Sequence, residues 1–112
     1  MALLLKADGG VEDIRPAHGR TFVLDELQAL VGGFIEVVRT VDGRWLVINE
    51  DGKRLELARN LQATALYHQA GGIPWDVVVG DVLLADSVEM GEHEEAEALA
   101  RELAEDDDEA VP

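Results

Sequence analysis

Residues 34–57 read FIEVVRTVDGRWLVINEDGKRLEL, and this stretch decides the fold class. Phe34, Ile35, Val37, Val38 and Val41 are strand formers with little else between them. Asp42-Gly43 is a tight-turn signal, because Gly adopts positive φ without a steric penalty. Trp45, Leu46, Val47 and Ile48 supply a second strand. Asn49-Glu50-Asp51-Gly52 reads as a second turn, and residues 53–57 as a returning third strand. The pattern predicts a three-stranded antiparallel meander made of local contacts.

On the N-terminal side, residues 2–6 and 11–15 flank Asp8-Gly9-Gly10 and read as a hairpin that Pro16 stops. Leu24, Leu27, Leu30 and Val31 recur at spacings of three and four, which predicts a helix over residues 23–31. Thr21 is its expected N-cap, Asp25 and Glu26 suit the positive end of the helix dipole, and Gly32-Gly33 is the stop. On the C-terminal side, Asn60 is an expected N-cap for a short helix that Gly71-Gly72 and Pro74 end. Residues 76–86 are rich in Val and Leu, with Gly80-Asp81 predicting a bulge or sharp bend. The segment after Gly80 is placed against the N-terminal hairpin. The connections through residues 16–33 and 58–76 are long enough to admit one parallel pairing.

From Glu92 onward the composition shifts to Glu, Ala and Leu. Ala96, Leu99, Ala100 and Leu103 draw a narrow apolar stripe on a predicted acidic C-terminal helix, with a frayed end beyond it. The expected fold is therefore α+β: a mostly antiparallel sheet of five or six strands, one packed short helix, and the acidic helix. The expected division is a single domain over residues 1–86 and an acidic tail over 87–112.

The 112 residues carry a net charge of −15. Residues 1–85 hold 12 acids and 8 bases, whereas residues 86–112 hold 12 acids and the single base Arg101. Phosphate contacts need Lys or Arg, and the chain has two Lys and seven Arg, scattered. Direct binding to nucleic acid or to anionic membrane is thus disfavoured. The absence of Cys removes disulfides, thiolate chemistry and Cys-zinc sites. No apolar run approaches the roughly 18–20 residues of a membrane span, and residues 1–6 are too short and too weakly basic for a secretory signal. A cytoplasmic protein is expected.

Catalytic patterns are sparse. No phosphate-binding glycine loop is present, Ser87 is the sole serine, and His18, His68 and His93 share no helical spacing. No cofactor and no metal are expected, and no residue is singled out as catalytic. Asp81 stands out as an acid flanked by apolar runs. It is the acid to consider for acid/base work, or it could satisfy backbone N–H groups at a bend. Asn49, Asn60, Thr64, Tyr67 and His68 cluster around the two loops between residues 49 and 68, where they could line one end of the sheet. Asn49 and Asn60 are also ordinary turn and cap residues. Trp45 and Trp75 are either core groups or interface anchors.

The segments Gly32-Gly33-Phe34-Ile35-Glu36-Val37, Asn49-Glu50-Asp51-Gly52-Lys53, Asn60 with Ala63-Thr64, and Val79-Gly80-Asp81-Val82 resemble the Domain of Unknown Function 3846 family over about residues 2–86. Ala58-Arg59 departs from that pattern, which more often has a Pro before the Asn. The resemblance implies an accessory protein of a phage, plasmid or other mobile element, and it brings no established activity and no catalytic residue. The resulting expectation is a non-catalytic binding module for a host protein or a small ligand, with Asn49, Asn60, Thr64, Tyr67, His68 and Asp81 as candidate contacts. A homo-oligomer is compatible with it. The alternatives are an acidic DNA-mimic inhibitor of a DNA-binding host defence protein, acting through Glu105-Asp106-Asp107-Asp108-Glu109, and a small hydrolase or nucleotide-binding enzyme.

Overall fold

Residues 2–91 are described by a computed structural model. The expected acidic helix, its Leu99 and Leu103 stripe, His93 and the acidic run at 105–109 lie outside the described residues.

The strands β1 (Ala2–Leu5), β2 (Val11–Ile14), β3 (Ile35–Arg39), β4 (Trp45–Asn49) and β5 (Val82–Ala85) form one sheet in the order β2-β1-β5-β4-β3. Every pairing is antiparallel, so the admitted parallel pair does not form. The N-terminal hairpin forms as expected, and β5 joins it to the β3-β4 hairpin, with Leu4 opposite Leu83 and Leu46 opposite Leu84. The centre of the sheet is thus assembled from contacts distant in sequence, and β5 is its keystone.

Alternation along the strands divides the core in two. One face carries Ala2, Val37, Trp45, Val47, Leu83 and Ala85 and packs against Leu27 and Val31 of α1 (Leu24–Val31), with Phe22 and Met90. The other carries Leu5, Leu46, Ile48, Val82 and Leu84 and packs against Ala63, with Leu66 and Tyr67, of α2 (Leu61–Gln69). Because both faces are covered, β4 and β5 are buried along their whole length and read as continuous apolar runs rather than alternating ones. Burying a side chain such as Phe22 or Leu83 contributes about 2–3 kcal/mol.

The helix starts follow different rules. Asn60 caps α2 through Oδ1, which accepts from the Ala63 N–H at 3.1 Å. The N-cap of α1 is Val23, not the expected Thr21. Its orphan N–H is met instead by Glu26, whose Oε1 accepts from it at 3.0 Å while Oε2 accepts from the Ala17 N–H at 2.9 Å. Thr21 turns away to donate to the Val88 carbonyl. A single helical turn, α3 (Ser87–Met90), is capped by Asp86 and places Met90 fully in the core. Packing thus continues past residue 86.

The expected third meander strand does not form. Residues 51–56 instead make consecutive turns, in which Leu55 N–H bonds to the Asp51 carbonyl and Leu57 N–H to the Gly52 carbonyl. The place beside β4 that this strand would have filled belongs to β5.

Candidate functional site

The sheet forks at one end. Strand β4 runs on through Ile48 and Asn49 beside β3, but its pairing with β5 stops at Val47 opposite Leu83. Upstream of β5 the chain bends at Gly80, where φ is 79°, and the residue before it makes an isolated bridge between Val79 and Arg59. Gly80 N–H donates to the Ala58 carbonyl at 2.7 Å, which fixes the loop at Ala58-Arg59. The 50–57 turns approach from the other side. A Cβ on Gly52 would fall 2.8 Å from the Val79 side chain, so only Gly allows this approach.

Between the diverging branches lies a cleft of about 260 Å³. It is lined by Ile48 and Asn49 of β4, Glu36 of β3, Tyr67 of α2, residues 76–79, and Glu50 with Lys53 from the turns after β4. Lys53 forms an ion pair with Asp76, which ties these turns to the 76–79 segment. Asp76 also accepts from the Val77 N–H at 2.9 Å. These contacts, led by Lys53, hold its carboxyl below the usual Asp range. Asp76 is accordingly a fixed negative charge at neutral pH.

Of the six residues singled out in the sequence, Asn49 and Tyr67 line this cleft. Asn49 is buried: Nδ2 donates to the Val31 carbonyl at the end of α1, and Oδ1 accepts from Asp51 N–H. The Tyr67 hydroxyl accepts from Ile73 N–H at 3.1 Å. His68 Nε2 lies 2.8 Å from the Asp76 carbonyl and serves as donor there, since a carbonyl can only accept. Thr64 Oγ1 accepts from Val78 N–H at 2.9 Å and donates to the Val78 carbonyl at 3.3 Å. Asn60 is 0% exposed, and its Nδ2 donates to the carbonyls of Leu5 and Gly80. Asp81 accepts from Ala7 N–H at 3.0 Å and borders a separate shallow concavity with Leu30, Leu57 and Gly80.

All six therefore hold backbone in place, and Asn49, Thr64, Tyr67 and His68 fasten the segments that frame the cleft. Lys53, Asp76, Glu36 and Glu50 were not singled out from the sequence. In a chain with 24 acids these three carboxylates have no distinguishing sequence context, and the Lys53–Asp76 pairing spans 23 residues.

The two tryptophans part company. Trp45 is 5% exposed, inside the core, with the Arg39 guanidinium 5.0 Å from its ring centroid. Trp75 is 86% exposed, one residue before Asp76. Among the described residues no group of three or more His, Asp or Glu is placed to hold a metal ion, and no helix is long and apolar enough to cross a membrane.

The chain matches the family model described as a domain of unknown function, DUF3846, over residues 2–106. It belongs to that family. The matched span takes in all five strands of this DUF3846 protein and extends beyond the residues 2–86 on which the resemblance was drawn. No curated protein and no solved structure matches it.

Proposed function

We propose that this DUF3846 chain is a non-catalytic binding module, an accessory protein of a phage or other mobile element, that engages a host protein through the Trp75 loop and the cleft beside it. Trp75 carries this reading. A large indole left 86% exposed costs apolar hydration and is characteristic of an anchor awaiting a pocket on a partner. Its loop is pinned rather than loose: Ile73 bonds to Tyr67, and Asp76 to Lys53 and His68. A pinned loop has paid part of its ordering entropy before a partner arrives. Glu36, Glu50 and Asp76 around the cleft, on a chain of net charge −15, favour a partner with basic side chains at its rim.

The test is affinity capture from host lysate with the full chain, Trp75→Ala, and a variant whose acids at 105–109 are changed to Asn or Gln. A partner held by the full chain and by the tail variant, and weakened about thirtyfold or more by Trp75→Ala, is the expected result; anchors of this kind are worth about 2 kcal/mol or more. Circular dichroism of Trp75→Ala should be unchanged. Loss on tail neutralisation, with Trp75→Ala still binding, would favour acidic mimicry instead. Metabolite turnover abolished by one substitution at Asp81 or His68 would refute the non-catalytic reading.

A further inference from the structure

The segment bearing Trp75 is anchored unequally along its length. At its C-terminal end Val78 is fixed by Thr64 and by the Asn60 N–H, which donates to its carbonyl at 2.8 Å. At its N-terminal end Gly71 takes φ 89°, and Gly72 lies so close over Tyr67 that a Cβ would fall 2.5 Å from the ring. Between these points, residues 73–76 reach the rest of the described molecule through side-chain bonds at the surface: Ile73 to Tyr67, and Asp76 to His68 and Lys53. Two of the three converge on Asp76, and Lys53 alone among these partners stands outside α2, in the turns after β4.

We infer that residues 71–77 form a strap over the cleft, hinged at Gly71, with the Lys53–Asp76 pair as its clasp. Closed, the strap sets Trp75 in one position. Open, it widens the cleft above Ile48 and Val79. An ion pair between side chains 58% and 30% exposed is weak and easily screened by salt, whereas the Val78 anchor depends on part-buried bonds that salt does not reach. Opening is therefore local and controlled by ionic strength, without loosening of the sheet. The purpose of the strap rests on the binding-module reading, but its motion does not.

Amide hydrogen exchange on the full chain tests this without any partner. Lys53→Met keeps the aliphatic stem and removes the clasp charge. Asp76→Asn is the second variant and keeps an oxygen for the Val77 N–H. Exchange at Ile73, Asp76 and Val77 is expected to quicken about fivefold in either variant. Wild-type protein at about 0.5 M salt should show a similar gain, and Lys53→Met no further gain from salt. Amides of Val47 and Leu83 in the sheet should be unaffected. Equal exchange in wild type and Lys53→Met, or equal acceleration of the sheet amides, would overturn the strap. Failure of Trp75→Ala to weaken capture would overturn the binding reading while leaving this result untouched.

Discussion

Asn60 commits its whole amide to three segments: the start of α2, the end of β1 and the bend at Gly80. Replacing it by Ala would remove a helix cap and strand two buried carbonyls. The sum is about 3 kcal/mol, taking about 1 for the cap and about 1 for each lost buried bond. Asn60→Asp separates the roles. It keeps the capping oxygen, but it has no donor and sets a carboxylate against the Leu5 and Gly80 carbonyls. Urea unfolding should show Asn60→Asp at least as destabilised as Asn60→Ala; near-wild-type stability of the Asp variant would mean that the cap alone matters. The cap was legible in the sequence, because an Asn before Leu61-Gln62-Ala63 is a local signal. The Nδ2 bonds were not, since they reach 55 and 20 residues along the chain. The same limit hid Lys53 and Asp76, while Trp75 was visible as a residue but not as an exposed one.

Elements whose pattern is local were read well: the N-terminal hairpin, α1 with its Gly32 stop, and the β3-β4 hairpin around Gly43, which takes φ 83°. Residues 53–57 were misread because the spacing of Leu55 and Leu57 mimics an edge strand, while the space beside β4 is claimed by β5, whose residues pair with β4 across 36 to 40 positions of chain. The turns that form instead force Glu56 to φ 57°. An L-residue there pays about 1–2 kcal/mol, and Gly returns part of that gain through a freer unfolded chain. Glu56→Gly should therefore stabilise by about 0.5 kcal/mol. At the facing bend the opposite holds: Gly80→Ala would strain φ 79° and put its Cβ 2.8 Å from Leu57, a loss of more than about 1 kcal/mol. Thermal melts of the two variants should move in opposite directions. If both fall, the 50–57 turns are set by something other than backbone conformation.

For the whole molecule, two electrostatic effects act at different pH. Glu26, Asp42, Asp76 and Asp86 all have carboxyls held below their ordinary values. The leading causes are the Val23 N–H for Glu26, Thr40 for Asp42, Lys53 for Asp76 and the Glu89 N–H for Asp86. Each binds fewer protons folded than unfolded in the acid range. Their contribution is complete above the unfolded value of about 4 and is lost as pH falls through the lower folded values. Opposing this, the net charge of −15 at pH 7 repels itself and vanishes near pH 4.3. The melting temperature should therefore hold or rise from pH 7 toward about 5 and fall steeply below about 4. Glu26→Gln should make the acid limb shallower, because it keeps one acceptor for Val23 or Ala17 but no longer titrates. At pH 7, added salt should raise the melting temperature by screening the repulsion. The Lys53–Asp76 clasp is weakened by the same salt, yet an exposed pair contributes little to global stability, so the strap opens as the body stabilises. A melting temperature that falls with salt at pH 7 would show instead that the surface pairs outweigh the net charge.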